Sequence, residues 1–263
     1  QQQLSQNNFV NMASQPRNFF KLQNKIYFIA TNEGKENLYS LNEDFTFNNG
    51  KSNNQWNEGD NWAGQIVPFE SDDALIPAGK TPEINGNASV KNISVSSPLN
   101  LSAGNLNIAG NLNLGAKITL NGNNLNLKGP SSQITNGNSS NYIVTNGTGT
   151  VNVENLNAER GSVNLPIGTA TNYNPVSIAN TGTSDTFSAS VSDGISNTTN
   201  GAVNATWEIS EATAGGSNVS LTLGWNTSQQ NAAFDSGTAK VGHYLNGNWI
   251  EENSGAVSNN SIT

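Results

Sequence analysis

Cysteine is absent from this chain, histidine and methionine occur once each, and lysine and arginine together number only 11 among 263 residues. The first absence excludes disulfides, thiolate metal sites and cysteine nucleophiles together. A fold without cross-links must then be held by its packed core. The few cations are scattered through a chain of net charge −8. No basic footprint exists for a phosphate backbone or an anionic lipid surface, so nucleic acid is not an expected partner. No apolar run approaches the roughly 20 residues of a membrane-spanning helix, and no signal-peptide pattern opens the chain at Gln1. These features predict a mature or excised fragment of a longer polypeptide with no membrane span.

What replaces the missing charge is neutral and polar. The chain holds 48 asparagines and 26 glycines, and only 34% of its residues are hydrophobic. Asparagine and glycine supply the positive-φ positions that short-stranded β proteins need, and the apolar residues alternate regularly instead of thinning out. The expected class is therefore all-β, and the length suits two domains.

Residues 1–50 begin polar and poorly periodic, then read as two strands around a turn at Gly34, with Ile26, Phe28, Leu38 and Leu41 as the apolar positions. One hairpin cannot bury its own face. Residues 51–158 change character. Segments such as "VKNISV", "NLNIAG", "NLNLG" and "NLNLKG" alternate over three to five residues and break at Gly or Asn-Gly. Such pieces suit a short right-handed β-solenoid with turns of about 20 residues; a twisted single sheet or sandwich is the competing arrangement. In the solenoid, Leu106, Ile108, Leu112, Leu114, Leu125 and Leu127 fill the interior, while Asn105, Asn107, Asn111, Asn113, Asn124 and Asn126 face out or stack in amide ladders.

Residues 159–263 carry longer strands. Phe187, Ala189 and Val191 share one face, as do Ala205, Trp207 and Ile209, and Val219, Leu221, Leu223 and Trp225. This pattern predicts an immunoglobulin-like β-sandwich. "GHYLNGNWIEE" reads as a hairpin whose Asn246-Gly247 turn is of type I′, placing Tyr244 opposite Trp249.

The stretch "QWNEGDNWAGQIVPFESDDALIP" concentrates tryptophan and acid. Trp56 and Trp62 stand where a solenoid must close its first turn against solvent, which predicts a cap. A sugar-binding platform is the functional alternative, with Trp56, Trp62, Tyr244 and Trp249 as ligand-binding candidates and Trp225 as a further stacker. Asp60, Asp72 and Asp73, with Glu70 nearby, are candidate oxygen ligands for calcium, although no spacing matches an EF-hand. Catalysis finds no comparable pattern. His243 has no nucleophile elbow beside it, Glu208, Glu211, Glu251 and Glu252 lie on polar faces, and Lys80, Lys91, Lys117 and Lys128 are sparse for a lyase groove.

"QWNEGDNWAGQIVPFESDDALIPAGKTPEINGNASVKNISV" resembles a module of large Bacteroidota surface proteins, with its tryptophans, its Ile-Pro and the following leucine-rich short strands. "GSVNLPIGTATNYNPVSIANTGTSDTFSASV", "ATWEIS" and "VGHYLNGNWIEE" resemble the β-sandwich that accompanies it in adhesin-like cargo of the type IX secretion system. The C-terminal secretion domain of that family is missing here. The resemblance implies an extracellular or outer-cell-surface location, the type IX machinery as a partner, and a non-catalytic, adhesin-like structural role in contact with a surface polymer or with other copies of the chain. The alternative expectation is a carbohydrate-binding accessory module of a polysaccharide-degrading enzyme.

Overall fold

A strand of two to four residues gains little by folding back on itself, since a turn would consume as much chain as the strand supplies. It pairs more economically with the equivalent strand one winding later. The computed structural model shows this arrangement, and describes residues 2–3, 17–22, 25–32, 35–42, 44–145, 149–196 and 201–263. The chain is all-β with a β-solenoid of about three regular turns.

Four strands precede the solenoid: β1 (Gln2–Gln3), β2 (Arg17–Leu22), β3 (Lys25–Asn32) and β4 (Lys35–Asn42), in the order β1-β4-β3-β2. Phe28, Ala30 and Tyr39 form a small buried cluster of their own, with the rings of Phe28 and Tyr39 stacked at 5.8 Å. The expected hairpin is thus the centre of a four-stranded sheet, and its Gly34 turn lies outside the described residues. Leu38, one of the expected apolar positions, is 42% exposed. Tyr39 takes the inner face opposite Phe28, and alternation turns Leu38 outward.

The solenoid winds through β5 (Asp73–Ile76), β6 (Glu83–Ile84) and β7 (Ala88–Val90); then β8 (Asn92–Val95), β9 (Leu99–Leu101) and β10 (Leu106–Ile108); then β11 (Leu112–Leu114), β12 (Ile118–Thr119) and β13 (Leu125–Leu127). A longer pass follows through β14 (Ile134–Thr135), β15 (Ile143–Val144) and β16 (Val151–Leu156). Equivalent strands pair in parallel and build three faces. Ile93 stacks on Ala74 and Leu112 on Ile93, each 19 residues along. The interior is a set of aliphatic columns, such as Ala88, Leu106, Leu125 and Val151, and every leucine and isoleucine expected inside is fully buried. Glycine is required where one turn passes tightly over the last: a Cβ on Gly129 would lie 1.9 Å from the carbonyl oxygen of Ala109, and one on Gly110 2.9 Å from that of Lys91.

Asparagine does the outer work. Asn126 donates to Asn107 Oδ1 at 2.8 Å, and Asn152 donates to Asn126 Oδ1 at 2.7 Å. At a corner the same side chain serves the backbone: Asn87 Oδ1 accepts from the N–H of Asn105, Asn105 from Asn124, and Asn124 from Thr150. Asn92 and Asn111 repeat the device at a second corner, accepting from the N–H groups of Asn111 and Gln133. Corner amides that no strand can pair are thereby satisfied.

Beyond β16 come β17 (Val163–Leu165), β18 (Ile167–Gly168), β19 (Val176–Asn180), β20 (Asp185–Asp193), β21 (Ala205–Glu211), β22 (Val219–Gly224), β23 (Gly242–Leu245), β24 (Asn248–Glu251) and β25 (Ser261–Ile262). β20 joins the third solenoid face antiparallel to β16, and β21 follows it. β17, β19, β22 and β25 make a separate antiparallel sheet. Buried residues of β17, β19, β20 and β21 belong to the same cluster as the solenoid interior, which runs from Phe47 to Ala205, and the partly buried Leu221 and Leu223 of β22 pack against it. Val219, expected on the buried face with Trp225, is 39% exposed at the start of β22.

Leu125→Ala should cost about 2–5 kcal/mol of unfolding free energy, from lost transfer energy plus a cavity that the stacked neighbours cannot refill. Asn126→Ala, which removes two ladder bonds, should cost about 1–3 kcal/mol. Urea unfolding of the two variants checks both values and their order.

Candidate functional site

Phe47, Trp56 and Trp62 lie over the open first turn, and all three are 0% exposed. The two indoles meet edge to face with centroids 4.6 Å apart, and Phe47 meets Trp62 the same way at 5.3 Å. Trp62 Nε1 donates to the carbonyl of Trp56 at 2.8 Å. Beneath them the buried Asn61 accepts from Lys51 N–H and donates to Asn53 Oδ1 and to the carbonyl of Gln55, so the loop is tied to itself. Thr46 and Gln55 bridge in parallel to Leu75 and Glu83, closing the first and second faces. Neither indole has a ring face open to a sugar, which corrects the assignment of Trp56 and Trp62 as ligand-binding residues; they are cap residues. The reason is packing: both indoles belong to the buried core cluster that continues into the solenoid interior.

The acidic residues of this stretch do not converge. Asp60 pairs with Lys51 at 3.0 Å. Asp72 accepts from the N–H of Phe69 and from Ser71, holding its own turn, and Asp73 accepts from Asn92 Nδ2 at 2.7 Å. Among the described residues no group of three His, Cys, Asp or Glu could hold a metal ion. The calcium expectation for Asp60, Asp72 and Asp73 is corrected accordingly: each carboxylate is committed to a structural bond. The hydrogen bond that Lys51 donates to Asp60, then the fields of Asp60 and Glu58, hold the Lys51 ammonium above its ordinary value of 10.5. A raised lysine stabilises fully below the unfolded value and loses that contribution as pH climbs through the folded one. The pair is therefore intact at neutral pH.

The C-terminal aromatics are arranged differently. Tyr244 and Trp249 face each other across the β23–β24 hairpin, with centroids 5.0 Å apart and planes at 54°. Asn246 and Gly247 take φ values of 51° and 85°, as a type I′ turn requires. Tyr244 is 43% exposed, and the indole N–H of Trp249 donates to the carbonyl of Ser196 at 2.7 Å. Behind the hairpin lies a cleft of about 860 Å³ between β21 and β22. Trp207, Ile209, Leu221, Leu223, Trp225 and Trp249 line it. Trp225 is 8% exposed, stands edge to face with Phe234, and its buried indole N–H has no partner. Trp207 reaches the carbonyl of Asn174 at 3.2 Å. Sequence reading placed these residues on apolar strand faces without seeing that two such faces stay only partly covered; the signal available was the presence of Trp207 and Trp225 among short aliphatics.

Several of the groups considered for catalysis have partners of their own. His243 Nδ1 lies 3.2 Å from Glu252 Oε1, at an exposed position. Lys117 donates to the Tyr142 hydroxyl and sits 4.3 Å over its ring, and Lys128 pairs with Glu154 at 3.3 Å. Glu211 accepts from the N–H of Gly215. Arg160 donates to the carbonyls of Glu154 and Ser132, and its half-burial lowers its pKa against the opposing field of Glu154. No helix of the described residues is long and apolar enough to cross a membrane.

Compared with protein families, with curated proteins and with solved structures, the chain matches none.

The cap yields a paired prediction. Trp62→Ala should cost about 3–5 kcal/mol, as a large buried aromatic does. Trp56→Phe should cost less than Trp62→Phe, because Trp56 Nε1 is a buried donor without a partner whereas Trp62 Nε1 is bonded. Chemical denaturation of the three variants checks both statements.

Proposed function

We propose that the chain is a non-catalytic, extracellular structural segment of a larger surface protein, of the adhesin-like kind it resembles, working by rigid spacing and by contact. The observation that carries this reading is the uninterrupted apolar column from the tryptophan cap to the C-terminal strands, wrapped in asparagine rows bonded from turn to turn. Such a stack resists bending without disulfides, and its neutral polar surface stays soluble while offering many weak hydrogen bonds. In the finer form of this proposal the solenoid is right-handed, as crossovers between parallel strands almost always are, and the two C-terminal layers are an immunoglobulin-like sandwich grown on its last face. A surface polymer or further copies of the chain are the proposed contacts, and the type IX secretion machinery follows from the resemblance alone.

A second reading, a carbohydrate-binding accessory module, is favoured by one observation: Tyr244 presents an exposed ring beside Trp249 at a hairpin tip. One experiment separates the two. Tryptophan emission is followed while soluble polysaccharides are added, and reducing ends are assayed in the same tubes. The structural reading predicts neither a saturable shift nor new reducing ends. A saturable shift abolished by Trp249→Ala would establish the binding module instead, and new reducing ends would overturn the non-catalytic reading.

A further inference from the structure

The cleft behind the hairpin is bounded by backbone as well as by side chains. β21 is the last strand of its sheet. Its register with β20 pairs Ser188 with Ser210 and Ser192 with Thr206, and the flanking bonds run from Gly194 N–H to the Asn204 carbonyl and from Ala212 N–H to the Thr186 carbonyl. In an antiparallel ladder the bonded pairs recur at every second residue. Thr206, Glu208 and Ser210 therefore bond to β20. Trp207, Ile209 and Glu211 turn their N–H and C=O groups to the free margin.

The side chains of Trp207 and Ile209 point into the cleft, on the same strand face as the buried Ala205. The opposite layer supplies the floor of the cleft. β19 bonds β22 through Ser220 and Thr222, by the register that also joins Thr181 N–H to the Asn218 carbonyl. β25 pairs with β22 at Leu223 and Gly224. Leu221, Leu223, Trp225 and Ile262 of this layer form an apolar floor opposite the edge strand β21. An apolar cleft alone would suit many ligands. A cleft whose wall is a free strand margin from Trp207 to Glu211 suits a strand.

We propose that this cleft accepts a β-strand from another polypeptide, added antiparallel to the free margin of β21, with apolar residues at alternate positions filling the cleft and cationic residues at its ends. The charge requirement comes from the rim, where Glu211 and Glu252 outnumber Lys240, with Glu208 exposed on the neighbouring face. This inference rests on the reading of the chain as a contact-making structural segment, yet the two fail separately. New reducing ends from a polysaccharide would sink that reading and leave strand acceptance untouched.

The test uses the full 263-residue chain and three blocked octapeptides of sequence KTVTVTVK: one unmodified, one N-methylated on its three valines, and one N-methylated on its three threonines. A strand added antiparallel to β21 with its valines in the cleft turns the valine amides toward β21, so only valine methylation removes the pairing. Residue-resolved amide exchange is measured with and without peptide. The unmodified and threonine-methylated peptides should slow exchange at Trp207, Ile209 and Glu211 by at least tenfold, while the valine-methylated peptide should not. Equal effects of both methylated peptides, perturbation of the Trp225 and Trp249 indoles without amide protection, or no protection at millimolar peptide would each overturn the proposal.

Discussion

Everything in this molecule depends on one constraint: each short strand must find its partner one winding later, in register. Three-residue strands such as Leu106–Ile108 and Leu125–Leu127 carry too few bonds to stand alone, and become stable only when Leu106 sits against Leu125 and Ile108 against Leu127. Register then dictates composition. A position that faces inward must be aliphatic in every turn, and one that faces outward must tolerate an identical neighbour above and below. Asparagine meets the second demand without charge, because its amide both donates and accepts, whereas a column of aspartates or lysines would repel itself. The low charge of the chain and its excess of asparagine are in this sense two faces of the same requirement.

A parallel stack has a cost at its ends, where unpaired backbone and open core meet water. The two ends are closed by different means. At the beginning Phe47, Trp56 and Trp62 roof the interior, and two isolated bridges occupy the margins of the first strands. At the far end the third face reverses direction: β20 runs antiparallel against β16, Ala189 and Phe187 continue the columns of Val151 and Val153, and a bulge between Val153 and Leu156 absorbs the change of register. The margin is then passed on to β21 and left open there. The tryptophans follow the same division, two sealing the start and three gathered around the open cleft.

Much of this was legible in the residues. The Leu-Asn-Leu alternation names its own inner and outer faces, the Asn-Gly pair at 246–247 names its turn, and two tryptophans ahead of a solenoid name a cap. Other features were not legible, for physical reasons. In "ENLYSL" either alternate set could face inward, and only the partner strand chooses Tyr39 over Leu38. The strand "TFSASVS" has the same pattern whether it belongs to a free-standing sandwich or extends a solenoid face. Its pairing with β16 is a long-range event that no local period encodes. The carboxylates at 60, 72 and 73 looked like a cluster because they are close in sequence, but turn geometry gives each its own partner. The cleft was invisible because incomplete cover leaves no mark on a strand's own residues.

The central claim is that cap, solenoid and C-terminal strands share one core and so behave as one cooperative unit. Native-state hydrogen exchange in low denaturant measures this directly, since it reports the free energy at which each amide opens. The account predicts that slowly exchanging amides at Leu106, Leu125, Val151 and Ala189 converge on a common opening free energy. If Ala189 and its neighbours in β20 opened together well below the solenoid amides, the C-terminal strands would be a separate unit, and the continuous column on which the structural role rests would be contradicted.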